Sequence, residues 1–258
     1  MAFDLGAYLD RIGLARAAVA GGGVPSVDRL VFAHITTIPF ENLDILLGRP
    51  IPIDLDSVFG QLVTARRGGY CFQHNALFAA ALRALGYRVV PLAGRVGPER
   101  LTASRTHMLL EVAIDDRPFI VDVGFGGHTP VRAIPLEVGT YATSHGELVL
   151  RDDGDGHLAL DLVGFDTLYW FTREAQYPVD YEVANHYTAT SPESYFVSSP
   201  RLALITEHGY RGYTDGQLSE RGADGTAKQT IAPERFVAML REAFTLEFPE
   251  STRFRGVG

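Results

Sequence analysis

The chain has 258 residues, 46% of them hydrophobic and 21% charged. A chain this long buries roughly 70–75% of the surface its unfolded form exposes, so a sizeable core is available. Its net charge of −8 lacks the basic face that nucleic acid or an anionic membrane surface requires, and it is too apolar for a disordered protein.

Lys228 is the only lysine and Cys71 the only cysteine, so no intrachain disulfide forms. The opening MAFDLGAYLDRIGL carries acids and no apolar run of signal-peptide length. No stretch approaches the roughly 20 apolar residues of a membrane-spanning helix. A soluble, cytoplasmic protein is expected.

Residues 1–86 read helical. Phe3, Leu5, Tyr8, Leu9, Ile12 and Leu14 form one apolar stripe, and Val27, Leu30, Val31, His34 and Ile35 a second. Between them, AVAGGG (18–23) reads as a loop. Asp54 or Asp56 caps a third helix carrying Val58, Phe59 and Leu62. CFQHNALFAAALRALG (71–86) has the texture of a buried helix that stops at Gly86. From Tyr87 the pattern becomes short β-rich runs: YRVVPLAGRV, HMLLEVAI, PFIVDVGF, GELVLRD, HLALDLVG and TLYWFT. They predict an antiparallel sheet or barrel reaching to about residue 200. A mixed segment follows, with a helix over 233–244.

The stretch ARRGGYCFQHN carries the strongest chemical signal. Gly68 and Gly69 let the backbone bend just before Cys71 opens a helix, where the dipole favours a thiolate. The dipole supplies only about 0.3–1 kcal/mol at an exposed terminus. Lowering a thiol by two pKa units takes about 2.7 kcal/mol, so an imidazolium partner is needed. His107 opens HMLLEVAI and Asp122 closes PFIVDV, with Asp115 and Asp116 at the turn between. A two-residue loop there sets Ile114 opposite Arg117 and His107 opposite Gly124. Asp122 then lies diagonal to His107 on the same face, about 7–8 Å away and within side-chain reach. A register slip of one residue would part them. Singly, a lone cysteine is usually a small buried hydrophobe and an aspartate near glycines a turn former. Together the residues supply a nucleophile, a base and an orienting carboxylate.

Four segments resemble the arylamine N-acetyltransferases: TIPFENLDILLGRPI (37–51), ARRGGYCFQHNALFAAALRALGY, THMLLEV (106–112) and FIVDVGFGG (119–127). A weaker likeness runs through LYWFTREAQYPVDYEVANHYTATSPESYFV (168–197). The resemblance implies an α+β fold: a helical bundle over 1–86, a central antiparallel β-barrel over 87–200 and an α/β lid over 201–258. Its Cys-His-Asp triad is of the kind found in cysteine-protease-like folds. It implies an acyltransferase that takes acetyl from acetyl-CoA onto Cys71 and passes it to an arylamine or arylhydrazine, with His107 as base and Asp122 as orienting acid. By the same likeness Phe125, Gly126 and Gly127 admit coenzyme A, while Phe40, Val96, Phe125 and Phe196 line the acceptor pocket. Glu41 and Arg66 match a buried ion pair under the cysteine loop. A monomer or homodimer with neither nucleic-acid nor membrane partners is expected.

An oxyanion donor is also required, and the Cys71 backbone N–H is the candidate. Gln73 and His74 depart from the family's usual pair, His74 as a structural histidine or a perturber of the thiol. An amide synthase closing a macrolactam from a carrier-bound polyketide, or a thioester hydrolase, would use the same triad. RDDGDGH (151–157) reads as a hairpin turn because the later glutamate of a calcium loop is missing. No zinc spacing, P-loop or dinucleotide fingerprint occurs, so no metal is expected.

Overall fold

The computed structural model describes residues 3–222 and 225–257. Helix α1 (Leu5–Arg11) begins where the Asp4 carboxylate accepts the Ala7 N–H at 3.0 Å, and it buries Leu5, Tyr8 and Leu9. A short 3-10 turn and two left-handed glycines, Gly22 and Gly23, lead into α2 (Gly23–Thr37), so the expected loop ends at the helix start. All five residues of its predicted stripe are buried. Strand β1 (Phe40–Glu41) and α3 (Leu43–Leu46) follow. Asp54 rather than Asp56 caps α4 (Leu55–Phe59), accepting the Ser57 N–H at 3.0 Å, and a π-helical turn continues to Thr64. Helix α5 (Cys71–Ala84) is buried along most of its length and ends just before Gly86, whose φ of 91° suits glycine.

The barrel strands are β2 (Arg88–Val96), β3 (His107–Ile114), β4 (Arg117–Val121), β5 (Ile134–Pro135), β6 (Gly139–Thr143), β7 (Gly146–Asp152), β8 (Leu158–Leu162) and β9 (Thr167–Phe171). Adjacent strands pair antiparallel in the order β5-β4-β3-β2-β9-β8-β7-β6, a nearly closed barrel. Between β3 and β4, Ile114 pairs with Arg117 as the two-residue loop requires. Asp115 and Asp116 both have positive φ, the primed turn that matches strand twist. The aspartate-rich run 151–157 ends β7 and makes the turn into β8, as expected for a hairpin.

The sheet does not reach residue 200. Helix α6 (Pro178–Thr190) occupies that stretch. Pro178 stands at its first position, and the Asp180 carboxylate accepts the Tyr177 N–H at 2.8 Å. Beyond it, β10 (Leu202–Thr206), β11 (Gly209–Thr214), β12 (Gln217–Gly222) and β13 (Gly225–Thr230) form a second antiparallel sheet that takes β1 as its outer strand. The predicted helix at 233–244 is a 3-10 turn followed by α7 (Phe236–Phe244). Phe236, Leu240 and Phe244 pack with Leu43 and Leu46 in a core separate from the barrel interior.

Candidate active site

Chain geometry around residues 39–71 determines where Cys71 points. Gly68 passes so close to the Pro39 carbonyl that a Cβ there would collide with it. The Glu41 N–H donates to the Gly69 carbonyl at 2.7 Å. Gln73 accepts the Tyr70 N–H at 3.3 Å and donates to Gln61 at 3.0 Å, and Gln61 donates to the Gly68 carbonyl at 2.9 Å. Two glutamines and two glycines thus fix the turn that delivers Cys71 to the first position of α5.

His107 and Asp122 meet as the hairpin register predicts. The imidazole Nε2–H donates to Asp122 Oδ2 at 2.7 Å, and both residues are buried. The other carboxylate oxygen, Oδ1, accepts from Asn75 Nδ2 at 3.0 Å and from the Gly124 N–H at 2.9 Å. Asn75 lies one helical turn beyond Cys71 on α5, so thiol and carboxylate are tied through one element. With Nε2 committed to Asp122, Nδ1 is the imidazole nitrogen left to face the thiol, and the ring hydrogen-bonds Cys71. The Cys71 thiol also donates to the Thr106 carbonyl at 3.6 Å.

The electrostatics favour a charged imidazole. Burial opposes it, but the Asp122 carboxylate, its hydrogen bond and Cys71 outweigh burial and push the His107 pKa up to about 10. Burial alone would raise the Asp122 carboxyl; His107 and the two Oδ1 donors hold it below its ordinary range. Gly124 packs directly on the Cys71 backbone, where a Cβ would stand 2.8 Å from the Cys71 Cα.

Cys71 and His107 open onto a cavity of about 410 Å³. Phe40, Val96, Phe125, Gly126, Gly127 and Phe196 all line it, together with residues of β10 and β11 that the sequence reading did not single out. Asp122 stands behind His107 and does not line it. Phe40 meets Phe196 at a ring separation of 6.0 Å, and Phe125 stands edge-on to His107 at 5.2 Å. The walls are flat and apolar, suited to an aromatic guest.

One expectation is corrected. Glu41 pairs with Arg67, not Arg66: Arg67 Nη2 lies 2.6 Å from Glu41 Oε1 and 3.4 Å from Asp44 Oδ2. Arg66 adopts a left-handed φ of 53°, which turns the chain so that the following residue faces Glu41. The Arg66 carbonyl instead accepts from Arg11 at 3.4 Å.

His74 is structural. Tyr8 OH donates to His34 Nδ1 at 2.8 Å, His34 Nε2–H to His74 Nδ1 at 2.9 Å, and His74 Nε2–H to the Pro39 carbonyl at 3.2 Å. Burial keeps both rings neutral, and because a carbonyl only accepts, each donor in the chain is then determined. Burial lowers the His74 pKa to about 4 and drives His34 down as well. A depressed histidine supports the fold above its unfolded pKa, near 6.5, and withdraws that support as pH falls toward its folded value. Between pH 6.5 and 4, His74 should therefore cost about 3 kcal/mol of stability. Urea midpoints across that range, compared with His74→Gln, check this; equal pH slopes for the two proteins would contradict it.

Among the described residues no group of His, Cys, Asp and Glu could hold a metal ion, and no helix is long and apolar enough to cross a membrane.

A family model described as N-acetyltransferase matches residues 24–253. The arylamine N-acetyltransferase of Mycolicibacterium smegmatis is 41% identical over 222 residues, covering 80% of this chain and 78% of that protein. The solved arylamine N-acetyltransferase of Salmonella typhimurium superposes with a TM-score of 0.90 at 31% identity, covering 96% of this chain and 95% of that one. The Mycobacterium marinum enzyme, solved in complex with CoA, gives a TM-score of 0.87 at 34% identity over 94% of this chain and 92% of its own. With the fold, the placement of Cys71 and matches spanning most of its length in agreement, the chain belongs to the arylamine N-acetyltransferase family.

Proposed function

We propose that this protein transfers acetyl from acetyl-CoA to an arylamine or arylhydrazine through an acetyl-Cys71 intermediate. One observation carries the reading: Cys71 opens α5 at the end of an apolar cavity, beside a buried His107–Asp122 pair. In the first half-reaction the His107 imidazolium holds the proton that Cys71 has given up, and Sγ attacks the thioester carbonyl carbon. The Cys71 N–H, free of an intrahelical acceptor at the first helical position, donates to the developing oxyanion. The C–S bond to coenzyme A breaks, and the leaving thiolate takes the proton from His107. In the second half the acceptor nitrogen attacks the acetyl-cysteine carbonyl and yields a proton to His107, and Cys71 leaves to recover it. Asp122 holds the imidazole in the tautomer both halves require.

The backbone at Phe125, Gly126 and Gly127 gives the narrow pantetheine arm a path to Sγ, and Phe40, Val96, Phe125 and Phe196 receive the acceptor ring. The three expected regions, 1–86, 87–200 and 201–258, would then supply the nucleophile, the His-Asp pair and the far cavity wall. We read the protein as a cytoplasmic monomer or homodimer, and its net charge of −8 disfavours a nucleic-acid or anionic-membrane partner.

Intact mass spectrometry tests the chemistry. Incubation with acetyl-CoA alone should add one acetyl group, lost when an arylhydrazine is added and never formed by Cys71→Ala. Absence of an adduct and of released coenzyme A would contradict the reading, as would an adduct that water removes as fast as the amine does.

A further inference from the structure

Behind the catalytic elements lies a second cavity, of about 570 Å³, larger than the 410 Å³ cavity at Cys71 and sharing no lining residue with it. Helix α5 presents Phe72, Ala76, Ala79, Ala80 and Arg83 to it, a single face by their spacing. Cys71 and Asn75 precede Phe72 and Ala76 by one position, so they face about 100° away around the helix. Strand β3 presents Met108, while His107 belongs to the other face by alternation. The start of α6 adds Tyr177, Tyr181 and Glu182. The cavity thus adjoins the backs of both elements that carry Cys71 and His107, and the transfer chemistry does not use it.

Its size and lining match those of small-molecule sites, roughly 300–1,000 Å³ and mostly apolar with few polar groups. Phe72, Met108 and Tyr181 are buried at its inner end, with the Phe72 and Tyr181 rings 5.8 Å apart. Three alanines leave the α5 wall smooth, and such a slot receives a flat aromatic body. Charge lies at the mouth. Asp54 accepts the Ser57 N–H at 3.0 Å and Arg83 donates to the Val89 carbonyl at 3.2 Å. Glu182 is exposed and has no hydrogen bond or ion pair with any described residue. Two carboxylates against one guanidinium, with a carboxylate the uncommitted group, complement a cation. Tyr177, 67% exposed at the same mouth, offers an ammonium group an aromatic ring.

The inner end touches the neighbours of the nucleophile. Phe72 follows Cys71 directly, and its ring meets that of Tyr70, the residue before Cys71, edge-on at 5.5 Å. The Tyr70 hydroxyl donates to Asn185 of α6, and the Tyr181 hydroxyl donates to the Leu92 carbonyl of β2 at 2.9 Å. An occupant packed on Phe72 and Tyr181 therefore bears on the residues either side of Cys71. We propose that this cavity is an effector site for a flat aromatic molecule carrying an ammonium group, and that its occupancy changes the reactivity of the Cys71 thiol.

The probe is tryptamine, with 3-indolepropionate as an anion of the same ring and chain length. Met1, Met108 and Met239 are the only methionines, so protein labelled with ¹³C at the methionine methyls gives three signals, assigned with Met108→Leu. Tryptamine should move the Met108 signal and leave Met239, in the separate core of α7, in place. Glu182→Gln should weaken its binding about two- to fivefold, and Ala175→Trp, a substitution at an exposed lining residue, should abolish it. Saturating tryptamine should change the rate at which iodoacetamide alkylates Cys71 by about fivefold or more in the wild type, and not in Ala175→Trp. Without tryptamine the two proteins should alkylate equally. A stationary Met108 signal in the wild type overturns the proposal with no variant needed. So does a shift that survives Ala175→Trp, equal binding of 3-indolepropionate, or an unchanged alkylation rate. Alkylation requires no acetyl donor, so failure of the transferase reading leaves this test intact.

Discussion

Asp122→Asn should fold and yet lose up to about 10⁴-fold in acetyl transfer. The fold is expected to survive because Oδ1 takes most of the contacts: Asn75 and the Gly124 N–H both donate to it, and an asparagine oxygen accepts both. What changes is the atom facing His107. Oδ2 accepts the imidazole Nε2–H at 2.7 Å; an amide NH₂ in its place donates, so Nε2 must become the acceptor. The ring proton then moves to Nδ1, the nitrogen left for Cys71, and a protonated Nδ1 in a neutral ring cannot take the thiol proton. The charged imidazole also loses the carboxylate that sustains it, so the His107 pKa should fall from about 10. Steady-state rates, circular dichroism and an NMR titration of the ring protons check the three parts. A folded variant within tenfold of wild-type rate would show that Asp122 does not set the tautomer.

That pairing was legible in advance because a hairpin with a two-residue loop has one register. Asp115 and Asp116 mark the loop, and side-chain alternation then decides which residues share a face. The start of α5 was legible for a similar reason, a glycine pair before a long apolar run. Asn75 carries a usable signal in the sequence: four residues from Cys71 on a helix, it shares the face of the thiol. Helix α6 was hidden by its own surface. Val179 and Val183 are 60% and 70% exposed, so the segment lacks the apolar stripe against a polar face by which a helix is recognised. The second sheet was obscure because the edge strand opposite β1, β13 (GTAKQT), is exposed throughout and shows no alternation. The choice between Arg66 and Arg67 turns on one left-handed residue, which motif spacing does not reveal.

Arg67→Met should cost about 3–5 kcal/mol of stability, the penalty for stranding a buried charge without its partner. Glu41 is 2% exposed, and burial already raises its carboxyl above the usual range despite the Arg67 guanidinium. Removing Arg67 leaves that carboxylate with the Leu43 N–H, which it accepts at 2.7 Å, and with Asp44 nearby as a like charge. The loss should extend beyond stability. The Glu41 backbone holds the Gly69 carbonyl, two residues before the nucleophile, so a strained Glu41 loosens the turn that aims Cys71. A second substitution separates charge from packing. Glu41→Gln keeps an oxygen for the Leu43 N–H and is neutral, so Glu41→Gln/Arg67→Met should be more stable than Arg67→Met alone. Urea unfolding of the wild type and the three variants gives the coupling energy. If Arg67→Met costs under 1 kcal/mol, or the double variant is no more stable than it, Glu41 is not the buried charge that Arg67 neutralises, and the support of the cysteine turn lies in the Gln61–Gln73 contacts instead.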